Sequence, residues 1–117
     1  MRYRYVFTDW FNRNLRHLGR RNPQLREDLE HFLLNLDAEA HPILSGTGGA
    51  RKARMKGRSR GKSGGYRVVY YLFVENRVWL LTIYDKVQKE DLTAAEERRI
   101  FHLVQAIKAS QELGGSE

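Results

Sequence analysis

The sequence predicts an α+β fold, in which a small, antiparallel-rich sheet of about four strands carries two N-terminal helices and a C-terminal helix packed on it. Strand-like and helix-like patterns follow one another along the chain in the order strand, helix, helix, three strands, helix. The chain of 117 residues is long enough for one hydrophobic core and needs no second one. It contains no internal repeat and no domain linker. We therefore expect residues 1–117 to form a single domain with a frayed tail at about residues 114–117.

The first strand and the first helix follow from two adjacent patterns. Residues 2–7 alternate aromatic side chains with arginines and a valine, which is the period of a strand. Thr8 or Asp9 can then cap a helix that ends at Gly19. The apolar positions of this helix share one face, and they are Phe11, Leu15 and Leu18.

The second and third helices carry clear signals at their starts. In the second helix, Asn22 is a cap and Pro23 fits the first helical position, whereas Pro42 prevents the helix from continuing. The third helix starts with Thr93 and Glu96, which form a capping box. Helical spacing gives each helix one apolar stripe, formed by Leu25, Leu29, Phe32, Leu33 and Leu36 in the second and by Ile100, Leu103, Val104 and Ile107 in the third.

Three strands are expected between these helices. Residues 45–65 hold seven of the ten glycines, and we interpret them as loops around one short strand near residues 51–56. Residues 66–74 and 77–84 are rich in β-branched and aromatic side chains, which favour strands. Only two residues separate these two segments, so they are predicted to form a hairpin.

The predicted hairpin places two specific side chains opposite each other. A two-residue turn pairs Val74 with Arg77, and this register puts Arg67 directly opposite Tyr84. Lys86 follows Tyr84 on the same side of the strand. A four-residue loop would keep this register, whereas a three-residue loop would shift it by one and separate the pair.

The strand before the hairpin has one cationic face and one apolar face. The two-residue period places Lys52, Arg54 and Lys56 together, and it turns Ala53 and Met55 toward a core. We expect the cations of this strand to converge with Arg67 and its neighbours.

The positive charge of the chain is concentrated in one stretch. Residues 40–74 contain no aspartate or glutamate, and they account for the whole formal net charge of +7. Their basic residues are Arg51, Lys52, Arg54, Lys56, Arg58, Arg60, Lys62 and Arg67. Such a field, interspersed with glycine, is typical of a surface that binds a polyanion, and RNA or DNA is the first candidate.

Several classes of protein and of site are excluded or disfavoured. The absence of cysteine excludes disulfides, thiolate metal sites and a cysteine nucleophile. The longest nearly apolar stretch, residues 68–74, is far too short to cross a bilayer, and the first 20 residues lack a hydrophobic signal core, so we expect a cytoplasmic protein with no membrane contact.

Asp85, Glu90 and Asp91 could hold a metal, but the lysines beside them favour a salt-bridged surface turn. The four histidines are scattered with no ligand spacing.

Two motifs connect the chain to a known family. The first is GTGGARKARMKGRSRGKSGGYRVVYY at residues 46–71, and the second is IYDKVQKEDLT at residues 83–93. In this order they resemble the signature of the HigB-like branch of RelE-type toxins. The resemblance implies the toxin of a bacterial type II toxin–antitoxin system, which enters the ribosomal A site, cleaves the mRNA there and is silenced by a cognate antitoxin protein. It also implies attack by the ribose 2′-hydroxyl on the adjacent phosphate, with no metal and no small-molecule cofactor.

The resemblance and the residues together define a candidate catalytic site. Arg67 is our choice for the clamp on the phosphate, because a guanidinium offers phosphate a planar fork of donors. The two basic residues that the family carries on its middle strand map onto Lys52 and Arg54. Tyr84 and Lys86 are left as candidate acid and base, since no histidine lies in the motifs. Further RNA-binding residues are expected at Arg51, Lys56, Arg58, Arg60 and Lys62.

Some roles stay open at this stage. Tyr84 could serve as a base only if adjacent cations lower its pKa, and it could instead stack on a base of the RNA. Arg67 beside Tyr84 could also be a cation–π pair that steadies the hairpin.

Two functions from different classes are compatible with the sequence. The first is a ribosome-dependent mRNA endonuclease, whose partners are mRNA, the 70S ribosome with its rRNA, and an antitoxin. The second is a toxin that inhibits DNA gyrase, as ParE-type relatives of the family do, or a non-catalytic nucleic-acid-binding module of the same fold. The YDK and GKSGGYR residues favour the first.

Overall fold

A computed structural model describes residues 2–56 and 65–115 of the chain, with side chains described as far as residue 110. Its elements, in chain order, are β1 (Arg4–Phe7), α1 (Asp9–Gly19), α2 (Leu25–Leu34), β2 (Arg51–Met55), β3 (Tyr66–Phe73), β4 (Arg77–Asp85) and α3 (Ala94–Gly115). The predicted order of strands and helices is confirmed.

The strands form a mixed sheet in the order β1-β4-β3-β2. The β2–β3 and β3–β4 pairs are antiparallel, and β1 pairs with β4 in parallel. The predicted α+β class with an antiparallel-rich, four-stranded sheet is therefore confirmed.

The helices cover the two faces of this sheet. On one face, α1 and α2 form a core with Ala53, Met55 and alternate residues of β3 and β4. On the other face, α3 packs Ile100, Val104 and Ile107 against the opposite set of sheet residues. Ala53 and Met55 are almost fully buried, which confirms that the odd positions of β2 face the core.

Helix α1 also lies along the edge of β4 beyond the point where β1 ends. The short strand β1 pairs with β4 only as far as Leu80. The Thr8 hydroxyl then donates to the Leu80 carbonyl at 2.8 Å, and the Asn14 amide donates to the Thr82 hydroxyl at 2.9 Å. This arrangement brings the second half of α1 beside the C-terminal end of β4.

The N-terminal starts of α1 and α3 agree with those predicted from the sequence, whereas the start of α2 does not. Thr8 caps α1, since its hydroxyl accepts from the Phe11 N–H at 3.2 Å. The capping box of α3 is confirmed, because the backbone N–H of Thr93 donates to Glu96 and the backbone N–H of Glu96 donates to Thr93. The predicted start of α2 was too early: residues 22–24 form a turn, and the helix runs from residue 25 to residue 34.

The predicted hairpin loop is wrong, although the predicted pair across the hairpin is correct. Phe73 pairs with Arg77, so the loop contains three residues rather than two. That loop shifts the register by one, and an irregularity opposite Val69 and Tyr70 leaves Leu81 as an extra, bulged residue of β4. Beyond this bulge the predicted register returns.

No helix in the described parts of the chain is long and apolar enough to cross a membrane.

Candidate functional site

Three side chains form a row across the sheet. Arg54 on β2 pairs with Arg67 on β3, and Arg67 pairs with Tyr84 on β4. Directly opposed residues of an antiparallel ladder share a face, with their Cβ atoms about 4.5–5.5 Å apart. We call Arg54, Arg67 and Tyr84 the cross-strand row, and it lies on the face of the sheet that α3 covers farther along.

Two lysines border the cross-strand row. Lys52 lies two residues before Arg54 on the same face of β2 and is half-buried. Lys86 follows β4, where its backbone N–H donates to the Gly65 carbonyl at 3.1 Å. Its ammonium group donates to the carbonyl of Glu90. The structure thus brings four predicted cations near one another, namely Lys52, Arg54, Arg67 and Lys86.

The loop between β4 and α3 folds back over this group of cations. The Asp85 carboxylate accepts from the Val87 N–H at 3.0 Å, and Lys89 forms an ion pair with Glu96. Lys52 forms an ion pair with Asp91, with Nζ 3.4 Å from Oδ1. The ion pairs of this turn thus join it to β2 and to α3, and they differ from the predicted pairing of Lys86 and Lys89 with the acidic residues beside them. The described residues contain no group of three or more histidines and carboxylates that could bind a metal.

Asp91 is the anion of this cluster. The hydrogen bond from the Leu92 N–H, at 2.8 Å, and the charges of Lys52 and Lys86 keep the pKa of its carboxyl below the ordinary value. Its side chain is nevertheless 69% exposed. An ionised and accessible carboxylate therefore occupies space beside the cations that are predicted to bind RNA phosphate.

Tyr84 differs from the expectation for a catalytic base. The residue is only 6% exposed, and it packs in the cluster that contains Trp10, Leu81 and Ile100. The pKa of Tyr84 is raised to about 12, chiefly by burial and in smaller part by the charge of Asp91, while Arg67 opposes the increase only in part. The phenol is therefore protonated at neutral pH, and the buried ring offers no face for stacking on a base.

The hydroxyl of Tyr84 is buried and has no hydrogen-bond partner among the residues that the structure describes. An unsatisfied buried hydroxyl costs about 1–3 kcal/mol, and a phenylalanine of the same shape would avoid this cost. A cavity of about 160 Å³ adjoins the residue. Its lining includes Asn14, His17, Thr82, Gln88 and Glu96.

The remaining predicted RNA-binding residues lie elsewhere. Arg51 is on the opposite face of β2 from Lys52, and its guanidinium donates to the Glu39 carbonyl at 3.2 Å and to the His41 carbonyl at 2.7 Å. Lys56 follows the end of β2 and lines a groove on the α2 side together with residues such as Phe32. The structure therefore does not bring Arg51 or Lys56 to the cross-strand row, and Arg58, Arg60 and Lys62 lie outside the described residues.

Sequence reasoning missed three contributors to this region. Asp91 was considered only as a metal ligand or a turn residue, although its place in the second motif was a signal that it lies near the site. Asn14 and His17 reach the cavity because α1 follows the edge of β4. Nothing in the sequence pattern indicated this contact, which depends on the short length of β1.

Comparison with known proteins gives limited likenesses. No protein-family model matches the chain. Among solved structures, the chain is similar to a mutant of the E. coli toxin RelE in the free state, with 24% identity over 77% of this chain and 90% of that chain and a TM-score of 0.46. It is also similar to this RelE mutant in complex with an antitoxin RelBc peptide, with 27% identity over 80% of this chain and 98% of that chain and a TM-score of 0.46. These likenesses do not place the chain in a family, so the RelE-type resemblance and its HigB-like branch stay predictions.

Proposed function

We propose that the protein is the toxin of a type II toxin–antitoxin system and cleaves mRNA on the ribosome as a metal-independent endoribonuclease. The observation that supports this most directly is the cross-strand row, in which two arginines and a tyrosine occupy paired positions on three adjacent strands, with Lys52 and Lys86 next to them. The motifs that resemble RelE-type toxins contain all five residues.

The proposed reaction is an in-line attack of the ribose 2′-hydroxyl on the adjacent phosphorus. The 2′-oxygen forms a bond to phosphorus as the proton of the 2′-hydroxyl passes to solvent. The bond from phosphorus to the 5′-oxygen breaks and this oxygen takes up a proton, so the products are a 2′,3′-cyclic phosphate and a free 5′-hydroxyl. Negative charge grows on the phosphate oxygens in the transition state, so fixed cations around them lower the barrier. Arg67 is the proposed clamp because it lies in the middle strand of the row, with Arg54 on one side.

Tyr84 is the proposed proton donor to the leaving 5′-oxygen. Its raised pKa keeps the proton on the phenol, which fits an acid and disfavours a base. Because the hydroxyl is buried in the free protein, this role requires the loop between β4 and α3 to move when RNA binds. Lys52 holds that loop to β2 through Asp91, and Lys86 bonds within the loop to the Glu90 carbonyl.

The proposal includes a protein partner and a compartment. A basic toxin of this kind requires a cognate antitoxin, and we propose one that covers the cationic face or the sheet and α3. The protein is proposed to act in the cytoplasm, where its mRNA and ribosome partners are.

Mapping mRNA 5′ ends in a translation extract tests the proposed function. The wild-type protein should produce cuts in phase with codons, and Arg67→Ala should abolish them. Arg4→Ala is the matched control, because Arg4 is an exposed arginine on β1, outside the row. Cuts that persist in Arg67→Ala would contradict the assignment of the clamp. Intact mRNA, combined with a block of gyrase supercoiling, would support the gyrase inhibitor instead.

A further inference from the structure

We infer that the exposed face of α1 is a second RNA-binding surface, which takes the phosphate backbone of a folded, double-helical RNA. This inference deepens the proposed function and rests on it for its biological meaning. The surface is formed by Arg13, Arg16 and Arg20, which we call the arginine stripe.

Helix geometry aligns the arginine stripe. At 3.6 residues per turn, its three residues lie within about 60° of one another around the helix axis and extend about 10 Å along it. All three side chains are exposed, whereas the opposite face of α1 buries Phe11, Leu15 and Leu18 in the core. The stripe is therefore held on a rigid element whose orientation is set by packing.

The arginine stripe has little compensating negative charge beside it. Within the described parts of the chain, no ion pair involves Arg13, Arg16 or Arg20. Some cations elsewhere are paired, as Lys52 is with Asp91 and Lys89 is with Glu96. The one carboxylate of α1 is Asp9, in its first turn. An uncompensated row of guanidinium groups attracts an extended anion, and RNA phosphates are of this kind.

The stripe adjoins the proposed cleavage site. Asn14 and His17 alternate with the stripe residues along α1, and both line the cavity that Tyr84 also borders. The stripe and the cross-strand row therefore lie near each other, and an RNA bound at the row lies close to the stripe.

The composition of the stripe favours a folded RNA over a single strand. Proteins that hold single strands combine cations with exposed aromatic platforms on which bases stack. The aromatic residues of α1, Trp10 and Phe11, are both buried. A stripe of this composition contacts phosphates without reading bases, as proteins do on double-helical RNA, whose backbone faces outward.

Binding assays with two RNA probes test this inference. The variant Arg13→Glu/Arg20→Glu is compared with Arg2→Glu/Arg4→Glu, which makes the same charge change at exposed arginines near β1. The probes are a short RNA hairpin and an unstructured oligouridine of equal length. We expect the stripe variant to lose at least about tenfold in affinity for the hairpin, with a salt slope smaller by about two. Its affinity for oligouridine, and both affinities of the control variant, should change by less than about threefold.

Three results would overturn the inference. They are equal losses for both probes, an equal loss in the control variant, and unchanged hairpin binding by the stripe variant. If the Glu variant unfolds, Arg13→Gln/Arg20→Gln gives the same test with a milder change. The assay measures binding and does not depend on cleavage. A protein that binds the hairpin through the stripe but leaves mRNA intact would contradict the proposed nuclease activity and would still support the second RNA-binding surface.

Discussion

Lys52 and Asp91 form an ion pair that links β2 to the loop between β4 and α3, with 3.4 Å between Nζ and Oδ1. Asp91 also lies within the field of Lys86. Its carboxylate thus neutralises the same cations that we assign to RNA phosphate. Exposed ion pairs contribute only about 0.2–1 kcal/mol, so an incoming phosphate can replace this one.

The first prediction is that Asp91→Asn strengthens RNA binding. Removing the competing carboxylate should raise the affinity for single-stranded RNA by about two- to fivefold, the factor that corresponds to an exposed ion pair. The measurement is a titration at low salt, where screening is weakest. Glu97→Gln is the control, since it removes one negative charge from an exposed position of α3. An equal increase in RNA affinity in the control would show that the effect comes from net charge and not from the position of Asp91.

The second prediction separates stability from activity at Tyr84. Tyr84→Phe should leave the free energy of unfolding unchanged or raise it by up to about 1 kcal/mol, because the buried hydroxyl has no hydrogen-bond partner in the described structure. Cleavage should fall by about 10²-fold or more if the phenol donates the proton. Both quantities are measured on the same preparation, by denaturant titration and by a cleavage assay.

Tyr5→Phe is the matched control for this change. The Tyr5 hydroxyl donates to the Leu33 carbonyl at 2.6 Å, so its removal leaves that carbonyl unpaired and should destabilise the protein by about 1–3 kcal/mol. Cleavage per folded molecule should not change. Cleavage by Tyr84→Phe at the wild-type rate would show that Tyr84 does not donate the proton.

The third prediction concerns alkaline pH. Burial is the main cause that raises the pKa of both Tyr5 and Tyr84 from 10.0 to about 12 in the folded protein. The unfolded chain therefore releases these protons at lower pH than the folded chain. The stability associated with the protonated phenols is complete below pH 10 and is lost as the pH rises toward 12.

Denaturant titrations across this range provide the measurement. The free energy of unfolding should decrease between pH 10 and pH 12, and Tyr84→Phe should make this decrease shallower. An identical pH dependence in the wild type and in Tyr84→Phe would show that the phenol of Tyr84 does not titrate differently in the folded state.

The register of the β3–β4 hairpin shows what sequence patterns can and cannot predict. The pair Arg67 and Tyr84 was predicted from a two-residue turn, and the structure reaches the same pair through a three-residue loop and a bulge at Leu81. Near Tyr84, neighbouring side chains face different cores, with Ile83 on the side of α1 and α2 and Tyr84 on the side of α3, and this constrains that end of the strands. Near the turn, only the loop residues indicate the length of the loop. Glu75 and Asn76 adopt positive φ angles there, and neither residue type requires such an angle.

The site was predictable where it depends on alternation and not where it depends on contacts between distant elements. Lys52 and Arg54 share the face of Arg67 because strands have a period of two. The two-residue period also places Arg51 on the other face of β2. A count of basic residues in this segment does not show that difference. The positions of Asp91 and His17 depend on how a loop and a helix pack, which no local pattern encodes.

The fourth prediction uses Arg51 and Arg54 as a pair of neighbours that face opposite sides of β2. Each cation that contacts a single-stranded RNA contributes about −0.7 to the slope of log K against log salt, so about six contacts give a slope near −4. Arg54→Gln should reduce the magnitude of this slope by about 0.7 because Arg54 is an exposed member of the cross-strand row. Arg51→Gln should leave it unchanged, since two backbone carbonyls bind the Arg51 guanidinium on the other face. Equal reductions in both variants would place Arg51 among the RNA contacts and would contradict the division of this strand into a binding face and a structural face.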